Sequence, residues 1–176
     1  MADLGGYMRF LALIGALAIL AAIAAAIYFF GGFYDVAAID EQPAVVDWAL
    51  ANVRSASIAR HATQTPPASL DDPATLKAGA RAFEARGCVK CHGAPGVNWE
   101  KYSEGMRPYP ADLKEAAPQL TAAEIFYVIR NGIKMTGMPS FGSTGVPDDE
   151  IWKIAAFVKK FPTTTDADYK AWTSAQ

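Results

Sequence analysis

The sequence predicts an all-α protein: one N-terminal transmembrane helix, then a compact domain of about three to five helices. Three observations carry this. Phe10 to Phe30 is a run of 21 residues with no charge and no proline. Three later segments have helical apolar spacing with start and stop residues. No stretch shows the alternating apolar and polar pattern of a half-buried strand.

The chain reads as five regions. Residues 1–9 are a short polar lead and residues 10–30 the anchor. Residues 31–75 are a connector, 76–162 the compact domain and 163–176 a polar tail. At a rise of about 1.5 Å per residue the anchor spans roughly 31 Å, the thickness of a bilayer core. A cleaved signal peptide is the rival reading, because AAIAAA resembles a small-residue cleavage site. The apolar run continues past that point, however, and Tyr28, Phe33 and Tyr34 then resemble an interfacial aromatic belt. Arg9 precedes the helix, while Asp35, Asp40, Glu41 and Asp47 follow it. Positive-inside bias therefore favours a cytoplasmic N-terminus and an external C-terminal domain.

In the connector, Pro43 suits a first helical position. Val46, Leu50, Val53 and Ala56 follow helical spacing, with Val45, Trp48 and Ala49 on a nearby stripe. The amphipathic helix this predicts either packs on its own domain, rests at the membrane surface or docks a partner subunit. Three prolines in ATQTPPASLDDP then break structure.

Within the domain, ATLKAGARAFEARG predicts a helix stopped by Gly87. TAAEIFYVIRNG predicts another, with Thr121 and Glu124 as a capping box and Gly132 past its end. PDDEIWKIAAFVKKF predicts a third, capped by Asp148 or Asp149 and stopped by Pro162. So short a domain with such long loops has little protein core, and a bound group is expected to fill it. Net charge is −2, with no nucleic-acid footprint. From Leu76 to Phe161 there are 12 Lys/Arg against 9 Asp/Glu, so the domain itself is slightly basic.

Both cysteines of the chain, Cys88 and Cys91, and one of its two histidines, His92, fall within CVKCH. This is the C-x-x-C-H attachment signature for c-type haem. Positions i, i+3 and i+4 share one helical face. Two thiols can therefore form thioethers to one haem while the imidazole coordinates its iron. A thioredoxin-like pair needs a βαβ context, and structural zinc usually takes four Cys/His ligands. His92 needs an acceptor for its other ring nitrogen. The turn GAPGV, shaped by Pro95, offers a backbone carbonyl. For the opposite side of the iron, Met138 in the Gly/Pro-rich loop TGMPSFG is the leading candidate, with Met135 and Met106 as rivals. His61 lies outside the domain, in the connector helix.

The segment Leu76–Phe161 resembles class I mono-haem cytochromes c, specifically small membrane-anchored bacterial ones. The resemblance rests on GCVKCHG, on GMPSFG about 45 residues later, and on Gly79 and Phe83 in the first domain helix. It implies a cytochrome c-like haem domain with one covalent haem c, ligated by His92 and Met138. It implies a helix crossing at Gly79, filled by Phe83 and Trp152. The loop MRPYPADL is similar to one near the haem propionates, which makes Arg107 and Tyr109 candidate contacts; an ordinary solvated Arg and a packing Tyr are the alternative. Tyr127 reads as core. The family's haem is attached outside the bacterial cytoplasmic membrane, so the domain is expected in the periplasm or on the outer face.

The function this implies is electron transfer between respiratory-chain proteins, rather than catalysis. One form is a tethered carrier between a quinol-oxidising complex or dehydrogenase and a terminal oxidase. The alternative is a fixed subunit of a larger oxidase or periplasmic dehydrogenase. A haem enzyme or gas sensor, with a displaceable Met138, is a third reading. Lys90, Lys101, Arg130 and Lys134 form a candidate basic ring for an acidic redox partner, or else a solvated surface.

Overall fold

The computed structural model describes residues 4–174. It is helical, with no strand among the described residues. The described chain divides after Ala37 into two compact units.

The first unit is dominated by α1 (Leu4–Phe30). The helix starts six residues before the apolar run, because nothing in Gly5-Gly6-Tyr7-Met8-Arg9 breaks it. The expected polar lead is thus helical where it is described, and residues 1–3 lie outside the described residues. From Gly5 to Phe30 the helix is long and apolar enough to cross a membrane, and it buries nothing within the chain. At its end the rings of Tyr28, Phe29 and Tyr34 cluster with centroids 5.4–6.3 Å apart. Both Phe33 and Tyr34 N–H groups return to the Tyr28 carbonyl.

The second unit begins with α2 (Ala44–His61), which follows Pro43 as expected. Only its C-terminal end is fixed. Ile58 is buried, and the His61 ring stacks on Tyr127 at 6.2 Å. The domain itself is α3 (Pro73–Ala85), α4 (Cys88–His92), α5 (Leu113–Ala116), α6 (Ala122–Asn131), α7 (Asp148–Lys160) and α8 (Asp166–Thr173).

The crossing of α3 and α7 is the centre of the core. Gly79 sits directly on the α7 backbone: a Cβ there would fall onto the Lys153 carbonyl oxygen and lie 2.7 Å from its carbon. Phe83 meets Phe157 edge-on at 5.3 Å, and Phe161 joins them. The aromatic partner of Phe83 is therefore Phe157. Trp152, expected there, instead stacks on Phe126 of α6 at 4.0 Å and 14°. The physical reason is helical phase. Trp152 and Phe157 are five residues apart, about 140° around the helix, so one faces α6 and the other α3.

Helix α6 has its expected capping box. Thr121 Oγ1 accepts from the Glu124 N–H, and Glu124 Oε2 accepts from the Thr121 N–H at 2.8 Å. Helix α7 differs at its start: Pro147 is the cap residue, and Asp148 pairs with Arg130 at 2.8 Å instead of capping. Arg86 makes a two-pronged bond to Glu150 at 2.7 and 3.0 Å, joining the end of α3 to the start of α7. The guanidinium holds the Glu150 carboxyl below the usual carboxylate range.

The expected polar tail is a packed element. Thr165 caps α8 by accepting from the Asp168 N–H. Tyr169 is 3% exposed and stacks on Phe157 at 5.7 Å. Arg81 Nε–H donates to the Trp172 carbonyl at 2.7 Å. Two aromatics at i and i+3, Tyr169 and Trp172, are enough to dock a two-turn helix.

Replacing Gly79 by alanine is expected to force α3 and α7 apart, because the obstacle is backbone and cannot rotate away. The expected loss is about 3 kcal/mol or more, at the upper end of overpacking costs. Denaturant unfolding of the haem-loaded protein measures it; a loss within experimental error would mean the helices can separate freely.

Candidate haem site

Three glycines place the CVKCH helix. Gly87 takes a left-handed φ of +77°, ends α3 and lets α4 start at once in a new direction. Gly93 (φ +64°) ends α4, and a Cβ there would meet the Val97 carbonyl oxygen at 2.9 Å. The next four residues form a tight turn. Ala94 and Val97 exchange both backbone hydrogen bonds at 2.8 Å, with Pro95 buried and Gly96 at φ +73°. Asp166 of α8 packs against that Gly96, so the tail helix supports the attachment turn from behind.

The Cys88 thiol packs against the core, while Cys91 Sγ lies 3.8 Å from the Tyr102 hydroxyl. Both thiols are free. Burial pushes the Cys88 thiol up to about 12. It is therefore protonated at neutral pH and a poor redox nucleophile.

His92 Nδ1 is 2.8 Å from the Ala111 carbonyl oxygen. A carbonyl only accepts, so Nδ1 carries the proton and Nε2 keeps its lone pair free for a metal. Burial lowers the His92 pKa, against the opposing pull of the Ala111 bond, which keeps the ring neutral. The expected acceptor in GAPGV is thus replaced by Ala111. The turn closes on itself through Ala94 and Val97, and the incoming loop supplies the carbonyl.

Cys91, His92 and Tyr109 line one cleft of about 270 Å³, together with Trp99, Glu104 and Ala111. Trp99 was not singled out by sequence; it lines the cleft from the segment that follows the Ala94–Val97 turn. Arg107 lies over the Tyr109 ring at 4.0 Å. Its Nη1 donates to the Met106 and Glu104 carbonyls at 3.0 and 3.2 Å. Its Nε–H is buried and has no partner. Arg107 does not itself line the cleft; it reaches it through Tyr109, and its buried donor without an acceptor suits a carboxylate.

Met138 is not part of the cleft lining. It is half-buried against the core, at the end of a loop built back onto α6. Ile133 N–H donates to the Met138 carbonyl, Met138 N–H to Thr136 Oγ1, and Phe141 and Gly142 N–H groups to the Ile129 and Arg130 carbonyls. Gly132 is needed for this: at φ +68°, a Cβ would lie 2.7–2.8 Å from the Met138–Ser140 backbone. The rivals differ sharply. Met135, at φ +61°, is 96% exposed. Met106 is half-buried, its sulfur 3.0 Å from where a Gly137 Cβ would stand.

Two members of the candidate basic ring are paired with acids. Lys101 pairs with Glu104 at 2.9 Å and Arg130 with Asp148. Lys90 and Lys134 are exposed.

Residues 74–158 match the family model described as cytochrome c oxidase, cbb3-type, subunit III. This segment is a c-type cytochrome domain. No curated protein and no solved structure matches the chain. A c-type cytochrome domain implies haem c and electron transfer. The match ends at Val158, so α8, which packs on the domain, lies beyond it, as do α1 and α2.

In the haem-free chain, Cys88 is expected to alkylate very slowly at pH 8, since its thiolate fraction is about 10³-fold below that of an ordinary thiol. The sign follows from burial, which disfavours the charged form. Labelling should rise only as pH climbs towards 12. Mass spectrometry after timed iodoacetamide exposure reads it; equal labelling of Cys88 and a free thiol peptide contradicts the buried placement.

Proposed function

We propose that the chain is a membrane-anchored mono-haem c-type cytochrome passing single electrons between respiratory-chain proteins. The observation that carries this is the neutral His92, held by Ala111 with Nε2 free, on one face with two unpaired cysteines in a c-type cytochrome domain. When bound, haem c supplies a one-electron ferric/ferrous couple. Cys88 and Cys91 hold it through thioethers, and His92 orients its imidazole towards the metal. Met138 would supply the second protein ligand to the iron, from a loop fixed to α6 by three hydrogen bonds, from Phe141 N–H, Gly142 N–H and Ser140 Oγ. Arg107 binds a propionate through its Nε–H, and Tyr109 supports the guanidinium plane.

The anchor is residues 10–30, extended backwards to Leu4 by α1. The connector is 31–75, and the haem domain runs from 76 beyond 162 to include α8. The charge asymmetry around α1 favours the haem domain on the periplasmic or outer side of the cytoplasmic membrane. With His92 and Met138 both holding the iron there would be no open site for substrate, which supports an electron carrier in its own right or the cytochrome of an oxidoreductase. The family description favours the second form, a fixed cytochrome subunit of an oxidase. The tethered carrier between a quinol-oxidising complex or dehydrogenase and a terminal oxidase is the other.

Met138→Ala is expected to lower the midpoint potential and to make the reduced protein bind carbon monoxide, with the Cys88 and Cys91 thioethers intact. Carbon monoxide difference spectra decide it. An unchanged spectrum would move the axial role to Met106, since Met135 points into solvent.

Native membranes solubilised in mild detergent and separated by native electrophoresis, then stained for covalent haem, test the two forms. A haem band within a large assembly supports the oxidase subunit. A band at the mass of the chain plus detergent supports the carrier. Absence of covalent haem on this chain sinks the proposal.

A further inference from the structure

Helix α2 lies outside the cytochrome domain match and is fixed to it only at one end. Ile58 and His61 pack it towards α6. Val45, Trp48, Leu50 and Val53 are 56–69% exposed. Val45 and Val53 are each about 140° around the helix from Ile58, with Trp48 and Leu50 about 80° to either side of it, so the Val45 and Val53 face points away from the domain that holds the other end. The reading that α2 packs its apolar face on its own domain fails for these residues.

What covers the stripe follows from where the helix is tethered. Thirteen residues, Gly31 to Pro43, separate the end of α1 from the start of α2. Fully extended they reach at most about 47 Å. Every copy of the chain therefore carries this face within a short reach of the bilayer that α1 crosses, whether or not another protein is present. The tether raises the local concentration of that surface far above that of any free partner. The connector carries the same chemistry: Phe33, Val36 and Ile39, three residues apart, are 68–86% exposed. Trp48 is the residue type that favours the headgroup level. Between Gly31 and His61 the acids Asp35, Asp40, Glu41 and Asp47 outnumber Arg54 and Arg60, so net attraction to anionic lipid does not contribute.

Resting on the reading of α1 as a membrane anchor, we propose that the Val45–Val53 face of α2 lies in the interfacial layer of the bilayer. The contact is apolar, insensitive to salt and independent of lipid charge. It fixes the orientation of the haem domain over the membrane, through the Ile58 and His61 end of the same helix.

The test uses the haem-loaded full chain in zwitterionic phosphatidylcholine vesicles. Single cysteines are introduced by Val53→Cys, Asp47→Cys and Leu17→Cys and given a nitroxide label; Cys88 and Cys91, as thioethers, do not react. Collision with oxygen is compared with collision with a water-soluble nickel chelate. The proposal expects several-fold preference for oxygen at position 53, the reverse at position 47, and no change between low and high salt. A retained haem spectrum in each variant shows that it has folded. Preference for the chelate at 53 with oxygen preference at 17 overturns the proposal and leaves the anchor standing. Preference for the chelate at 17 overturns the anchor itself. Chelate access at 53 in vesicles that is lost in native membranes overturns it in favour of a protein partner.

Discussion

Where α3 crosses α7, backbone touches backbone, and much of the domain hangs on that contact. Gly79 is the only kind of residue the Lys153 carbonyl leaves room for. The close approach brings Phe83 onto Phe157 and Phe161 at the centre of the core. It also sets where α3 ends. The Arg86–Glu150 pair locks that end to α7 one residue before Gly87 turns the chain into the CVKCH helix. The attachment helix is thus positioned by a helix crossing nine residues upstream. The two-pronged bond is partly exposed and contributes mainly direction, since exposed ion pairs are worth little.

The parts of this architecture that were legible in the sequence are those written in neighbouring residues. The capping box of Thr121 and Glu124, the stop at Gly132, and the grouping of Cys88, Cys91 and His92 all follow from spacings of a few residues. What escaped depends on residues far apart in the chain. The His92 acceptor is Ala111, a carbonyl with no sequence signature, 19 residues away. The exchange of Trp152 for Phe157 at the crossing depends on which face of α7 meets which helix. Helix α8 was missed because its apolar content is only two aromatics in a polar stretch, too little to register as periodic. Their partners, Phe157 and Arg81, lie in α7 and α3.

Charge tells a similar story at the surface. A count along the sequence gives the domain an excess of Lys and Arg, and four of them flank the haem motifs. Folding places acids beside two of those four. The rim of the His92 cleft is left with aromatic surface instead: Trp99, Tyr102 and Tyr109 are each 50–56% exposed. A near-neutral aromatic rim brings a redox partner close through apolar contact, with weak long-range steering.

The two ends of the second unit divide the work. Both α2 and α8 are short amphipathic additions outside the family match. Helix α8 turns its aromatics inward, onto Phe157 and behind the turn at Gly96, and so stiffens the wall against which the CVKCH helix rests. Helix α2 turns its apolar stripe outward and keeps only Ile58 and His61 for the domain. A soluble protein gains nothing from exposing Trp48, Val45 and Val53 on one helix face, because each costs favourable burial and invites association. On a chain tied to a bilayer, the same exposure becomes a second foothold. If α2 is that foothold, the haem domain would have fewer orientations open to it than a thirteen-residue leash alone allows, and electron transfer to a membrane neighbour would depend on which way the His92 cleft is held.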